Sequence, residues 1–476
     1  MVRPMPVTDA IFLLGEVRGR PLHVGGLQLF RLPPDAGPDA VQRSYRAALE
    51  HDPAPLFRMR PTRMLHGVGP WAWTEDDDLD LEYHVRHSAL PHPGRVRDLL
   101  TLVSRLHGTM LDRSRPLWET HVIEGLADGR LAVYTKVHHA LLDGTSAMRW
   151  LQRSLTDDPD ARGMPPAFAL PARADGSATA TAATAAPAAP APSPAGGLLA
   201  PITGGVVDEA LGAGRAVGQA GTTALRALAR ALDEQSAVLP YQAPRTMLNQ
   251  PITAARRFAA DRWPLERIKN VGAATGGKVN DVVLAMSAGA LRRYLLDHDA
   301  LPERPLIAAV PVSLREASDE PGRGNAVGVV LCNLGTDLDD PLDRFARIHG
   351  SMRDAKSRLA DLDPAAVLLL SVLSFGPVAL GPLFRFRPLR KPAFNVIISN
   401  VAGPTGPRYV NGARLDGLYP ASVPYDGQAL NITVTSADGH LGFGLTGCRA
   451  AVPSLQRLLD HLEDTLTELE VASGAV

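Results

Sequence analysis

Residues 176–197 read GSATATAATAAPAAPAPSPAGG, with no charge and no large apolar side chain. Such a segment buries too little apolar surface to offset its ordering entropy, so it reads as a disordered linker. It argues against one continuous core in a chain of 476 residues, a length that already favours more than one domain. The expected organisation is a first half over residues 1–175, the linker over 176–197, an Ala-rich helical crossover over 198–240 and a second half over 241–476.

Both halves mix the two hydrophobic periods. Residues 42–51, 96–111 and 145–155 have helical spacing, whereas 130–138 alternates as a strand does. In the second half, 306–311, 326–334, 393–399 and 430–436 read as strands. Residues 280–296, 341–362 and 453–469 read as helices. The expected fold class is therefore α/β, with two layered domains and a cleft between them.

Charge and cysteine usage remove several functions. A net charge of -1 and a pI near 6.9 leave no basic face for phosphate backbones, so nucleic acid is not expected as a partner. Cys332 and Cys448 form no C-x-x-C or Cys/His cluster, so neither a disulfide framework nor a metal site is expected, and a cytoplasmic setting fits. His84, His87 and His92 lack metal-ligand spacing. Residues 272–278, GAATGGK, approach a phosphate-binding loop, but Val279 follows where magnesium ligation needs Ser or Thr. Residues 322–328 have one residue too many for the dinucleotide fingerprint. Residues 364–384 carry no charge and are long enough to span a bilayer, but Gly-Pro pairs at 376–377 and 381–382 interrupt them. Two short buried helices, a lipid-docking surface or a span are the alternatives there. The basic residues Arg385, Arg387, Arg390 and Lys391 follow directly.

The chemistry lies at the end of the strand over 130–138. Alternation puts His139 on a face with Leu131, Val133, Thr135 and Val137, and His138 on the other with Ala132, Tyr134 and Lys136. Asp143-Gly144 then turns the chain into the next helix, capped by Thr145 or Ser146. A histidine pair at a strand end followed at this spacing by Asp-Gly is the HHxxxDG signature of acyl-transferring enzymes that use CoA or a carrier.

With the blocks around it, the chain resembles the bacterial wax ester synthase/diacylglycerol acyltransferase family. The resemblance rests on Thr8 to Leu13, Arg115 to Glu119, His138 to Gly144, Asn280 to Ala285, Pro311 to Arg315, Gly324-Asn325, Asn395 to Pro404 and Leu430 to Ile432. Ala402 stands where a Pro is common. The resemblance implies a chloramphenicol-acetyltransferase-like fold, two similar domains meeting at a tunnel with the histidine at its middle. It implies acyl-CoA as donor, diacylglycerol or a long-chain alcohol as acceptor, and no cofactor; because such substrates leave water for lipid, and residues 364–384 are uncharged beside a basic cluster, peripheral contact with the inner face of the membrane or with lipid inclusions is expected. By resemblance His139 is the general base and His138 a supporting, shaping residue. Asp143 is expected to pair with an arginine, Arg58 or Arg60, and to hold the loop with Gly144. Asn280 and Asp281 order the site from the second half, or Asn280 is only a helix cap. Trp118 is either core or tunnel wall. Two readings compete: a condensation-type acyltransferase using an amine or a carrier-bound acyl group, and a non-catalytic lipid-binding relative.

Overall fold

In the computed structural model the described residues are 2–37, 39–65, 68–170, 241–313, 327–360 and 391–475. The expected linker and crossover, and the apolar stretch 364–384 with Arg385, Arg387 and Arg390, lie outside them.

The first half runs β1 (Arg3–Pro4), α1 (Val7–Gly15), β2 (His23–Arg31), α2 (Ala40–Leu49), β3 (Met59–Leu65), β4 (Val68–Glu75) and α3 (Leu81–His84). It continues with β5 (Val85–Ala89), α4 (Val96–Gly108), β6 (Trp118–Glu124), β7 (Leu131–His138) and α5 (Gly144–Arg153). The second half runs β8 (Arg256–Pro264), α6 (Leu265–Thr275), α7 (Val279–Leu296), β9 (Ile307–Ser313), β10 (Val327–Asn333) and α8 (Pro341–Ala360). It ends with β11 (Val396–Val401), β12 (Tyr409–Val410), β13 (Ala413–Ala421), β14 (Leu430–Ala437), β15 (His440–Cys448) and α9 (Arg457–Ser473). The α/β class expected from the two periods is the one found.

Each half is built on a six-stranded sheet. The second has the order β10-β9-β11-β14-β15-β8. Its layer of helices centres on α7, which is buried on nearly every side. Gly289 lets α9 approach closely: a Cβ there would stand 2.4 Å from the Thr465 methyl. The β14–β15 hairpin turns on Asp438-Gly439, both at positive φ (44° and 72°), as a two-residue turn matched to strand twist requires.

The first sheet has the order β12-β13-β2-β7-β6-β5, and its first two strands come from the second half of the chain. β13 pairs antiparallel with β2, Arg414 opposite Arg31 and Ala421 opposite Gly25. β13 also leans on β15, where a Cβ on Gly442 or Gly444 would lie 2.3 Å from the Leu418 carbonyl oxygen or 1.8 Å from that of Pro420. Those glycines set the spacing at which the two sheets meet. Among the described residues no helix is long and apolar enough to cross a membrane.

Candidate active site

The two sheets enclose a cavity of about 520 Å³. Val24 and Gly26 of β2, Thr135 and Val137 of β7, and Met148 and Leu151 of α5 form one wall. Pro311, Val329, Ile397, Ser399, Asn431 and Thr433, on β9, β10, β11 and β14, form the other. His139, Asp143 and Gly144 sit between them. The face that the alternation of β7 assigns to His139 is thus the face that opens on the cavity, while Tyr134, Lys136 and His138 point away from it.

His139 leaves the end of β7 with its N–H donated to the Leu22 carbonyl (2.9 Å). Its ring stacks on Phe12 of α1, centroids 4.0 Å apart and planes 16° from parallel. Nδ1 is buried without a hydrogen bond of good geometry, and the residue lines the cavity. Burial holds the imidazole down at about pKa 4, against a smaller upward pull from the Asp143 carboxylate. The imidazolium of His138 would also push it down, and the ring's own main-chain carbonyl pulls it up. The ring is therefore neutral, with a free lone pair, at any pH above about 5.

His138 is committed on its own side of the sheet. Its Nδ1 accepts the Ala140 N–H at 3.0 Å, so the proton of the neutral ring is on Nε2, which lies 3.5 Å from Glu16 Oε1. Glu16 is fully enclosed. It accepts the Leu22 N–H (3.0 Å) and a forked contact from Arg113, whose Nε and terminal nitrogen lie 3.1 and 3.0 Å from Oε2. Burial raises the Glu16 carboxyl pKa, but the contacts with His138, Leu22 and Arg113 outweigh it and hold the group below its ordinary value. Arg113 also donates to the carbonyls of Leu13 and Glu16, both at 2.8 Å, locking α1 and hence Phe12 over the His139 ring. Glu16 and Arg113 escaped the sequence reading. Their signal was a lone acid directly after the apolar run of α1 and an arginine ahead of Arg115-Pro116.

Asp143 is the N-cap of α5, accepting the Ser146 N–H at 2.8 Å and the Ser146 hydroxyl at 3.0 Å. Its expected partners are engaged elsewhere: Arg58 pairs with Glu75 (3.3 Å) and Arg60 with Asp76 (4.0 Å). The hairpin explains this, since antiparallel pairing of β3 with β4 brings Met59 opposite Glu75. Asn280 and Asp281 do not line the cavity. Asp281 closes a capping box at the start of α7, accepting the Lys278 N–H at 2.9 Å, and lies 3.1 Å from His349 Nδ1. Trp118 is core: fully buried, it donates Nε1–H to the Phe57 carbonyl (2.7 Å) and stacks on His84. The polar groups that share the cavity with His139 had a sequence signal in another place. Alternation over 430–435 puts Asn431 and Thr433 on one face, and Thr433 donates to Asn431 Oδ1 (2.8 Å) while lying 2.9 Å from the Ser422 hydroxyl. No group of three or more His, Cys, Asp and Glu able to hold a metal occurs among the described residues.

Residues 5–283 match the model of the wax ester synthase/diacylglycerol acyltransferase catalytic domain, and 323–470 match its C-terminal domain. A Mycobacterium tuberculosis protein named "probable diacyglycerol O-acyltransferase" is 49% identical over 99% of both chains. The solved wax ester synthase/diacylglycerol acyltransferase of Marinobacter aquaeolei superposes with a TM-score of 0.76, at 40% identity, over 99% of this chain and 100% of that one. The first condensation domain of the calcium-dependent antibiotic synthetase, at 17% identity, shares the fold with a TM-score of 0.56 over 99% and 96% of the two chains.

Proposed function

The chain belongs to the wax ester synthase/diacylglycerol acyltransferase family, and from that premise we propose that His139 is the general base of an acyl transfer from acyl-CoA to the hydroxyl of diacylglycerol or a long-chain alcohol. The single observation that carries the assignment is the half-buried His139 ring, neutral and stacked on Phe12, lining a cavity that both sheets enclose.

The chemistry follows from the groups present. Nε2 takes the proton of the acceptor hydroxyl as its oxygen attacks the thioester carbonyl. The tetrahedral intermediate collapses with cleavage of the C–S bond, and the imidazolium returns its proton to the departing CoA thiolate. Products are the ester and CoA, and neither a covalent enzyme intermediate nor a cofactor enters the balance. On the polar wall of Ser422, Asn431 and Thr433 the Thr433 proton is committed to Asn431 Oδ1, which leaves the Asn431 amide N–H as the donor we assign to the developing oxyanion. His138 holds the strand end in place through Ala140 and Glu16. His139→Ala is expected to lower turnover by at least about 10²-fold, the lower end of general-base contributions, with the melting curve retained. Release of free thiol from acyl-CoA in the presence of acceptor measures it. Activity within tenfold of the parent would remove His139 from the role.

Such substrates partition into lipid, and we infer peripheral contact with a membrane or lipid-inclusion surface. The support is in the sequence: uncharged residues 364–384 beside Arg385, Arg387, Arg390 and Lys391 suit an anionic interface. Changing the three arginines to Glu is expected to release the protein from anionic vesicles in a sedimentation assay. Unaltered sedimentation would place the docking surface elsewhere.

A further inference from the structure

A second cavity of about 440 Å³ lies on the same face of the first sheet, further from His139. Its floor is Gln28 and Phe30 of β2, Val122 of β6, and Leu131 and Val133 of β7. α2 and α5 cover it, and polar residues, Arg43 and Asn411 among them, rim its outer side. Thr135 and Leu151 line both this cavity and the active-site cavity. The Thr135 hydroxyl is occupied at 3.1 Å by that of Thr120. Gly26 makes room for Leu151, because a Cβ there would stand 2.8 Å from Leu151 Cδ1. Thr135 and Leu151, the latter seated against Gly26, thus lie where the two spaces adjoin.

β7 supplies a ruler. Thr135, Val133 and Leu131 are four, six and eight residues before His139, and a strand advances about 3.3 Å per residue, which puts the second cavity roughly 13–26 Å from the catalytic ring. An extended chain of single bonds advances about 1.2 Å per bond, as the 3.3–3.6 Å reach of a three-bond peptide unit implies, so that span corresponds to roughly the eleventh bond and beyond.

We propose that the second cavity is the chamber for the distal end of a long alkyl chain, with Leu151 seated on Gly26 as the partition the chain must displace to enter it. The proposal rests on the acyl-transfer reading and deepens it. The shared chemistry is an unbranched alkyl chain, which either the acyl donor or the alcohol acceptor supplies, and the reacting ester occupies the first cavity. Chains too short to pass Thr135 never meet the chamber, and longer ones bury their terminal methylenes there.

The test is a chain-length profile in two arms, acyl-CoA from eight to eighteen carbons with one alcohol, then the alcohol series with one acyl-CoA. Val133→Phe fills the chamber and Leu151→Ala opens the partition, and melting curves accompany both. In one arm Val133→Phe is expected to lower the ratio of long-chain to short-chain kcat/KM by at least about tenfold, since fit of a single methylene in an apolar pocket discriminates by that much. Leu151→Ala is expected to raise the ratio, or to move the optimum to longer chains. The arm that responds identifies the occupant. An unmoved ratio in both arms, in folded protein that still transfers acyl groups, overturns the chamber alone. A parent enzyme that transfers no acyl group at any chain length overturns the acyl-transfer reading and the chamber with it.

Discussion

At the scale of single residues, two neighbouring histidines at one strand end have opposite surroundings because the pleat turns them to opposite faces. His138 has Nδ1 occupied by Ala140 and Nε2 aimed at an enclosed carboxylate, whereas His139 faces open space with Phe12 at its back. That the two lie on opposite faces was legible in the sequence through period two; their partners were not. The Glu16–Arg113 contact was not, because no local pattern links residues 97 positions apart. The depressed pKa of His139 has a kinetic consequence. A base with pKa about 4 is already deprotonated at neutral pH, so kcat/KM is expected to stay level from pH 8 down to about 5 and to fall only as pH approaches 4. A pH–rate profile with a limb near 6.5 would show that the ring is not desolvated. Stability carries the same sign. The unfolded imidazoles take up protons below about pH 6.5, whereas in the folded state burial holds His107 down at about 3 and His139 at about 4. The unfolded chain therefore binds more protons in that window, and stability falls as pH drops through it.

At the scale of elements, α5 carries the active-site loop at one end and the cavity wall along its length. Asp143 opens the helix through two bonds to Ser146, and one and two turns later Met148 and Leu151 line the cavity. Removing the cap therefore disturbs both. Asp143→Ala is expected to cost roughly 1 kcal/mol as lost N-cap and to lower activity, read by a downward shift of Tm and by the thiol-release assay together. Loss of activity with an unchanged melting curve would point to a direct role in the reaction. The segments that were read, such as α7 and β7, match to within a few residues at their ends because long periodic stretches announce their type, whereas β2, β6, β8, β13 and β15 were not picked out. What periodicity leaves open is which strand lies beside which. Arg58 and Arg60 looked available to Asp143 only because the β3–β4 hairpin, with its acids Glu75 and Asp76, was not visible in the pattern.

At the scale of the molecule, the order of segments along the chain is not their order in space. β12 and β13 belong by sequence to the second half and by hydrogen bonding to the first sheet. The polar contacts there reinforce the pairing: Asp416 accepts from Arg31 (3.2 Å) and Arg130 (2.8 Å) of the first half and from Arg262 (3.4 Å) of the second. Neither half can unfold without stripping a strand or a partner from the other. Calorimetry is expected to give a single cooperative transition, with calorimetric and van't Hoff enthalpies equal. Two resolved transitions would mean that the halves are independent.

The same strand exchange sets a clock on synthesis. Arg31 and its partner Asp416 are 385 positions apart. A ribosome adding 5–20 residues per second needs roughly 20–80 s to bring the second to the first. For all of that time β2 offers an unpaired edge of nine residues, His23–Arg31, six of them among the buried apolar or polar set of the finished protein. An edge of that kind is a template for another chain's strand. The nascent protein is thus born with its most adhesive surface first and the strand that covers it almost last, a delay that falls to the cell's chaperones to bridge.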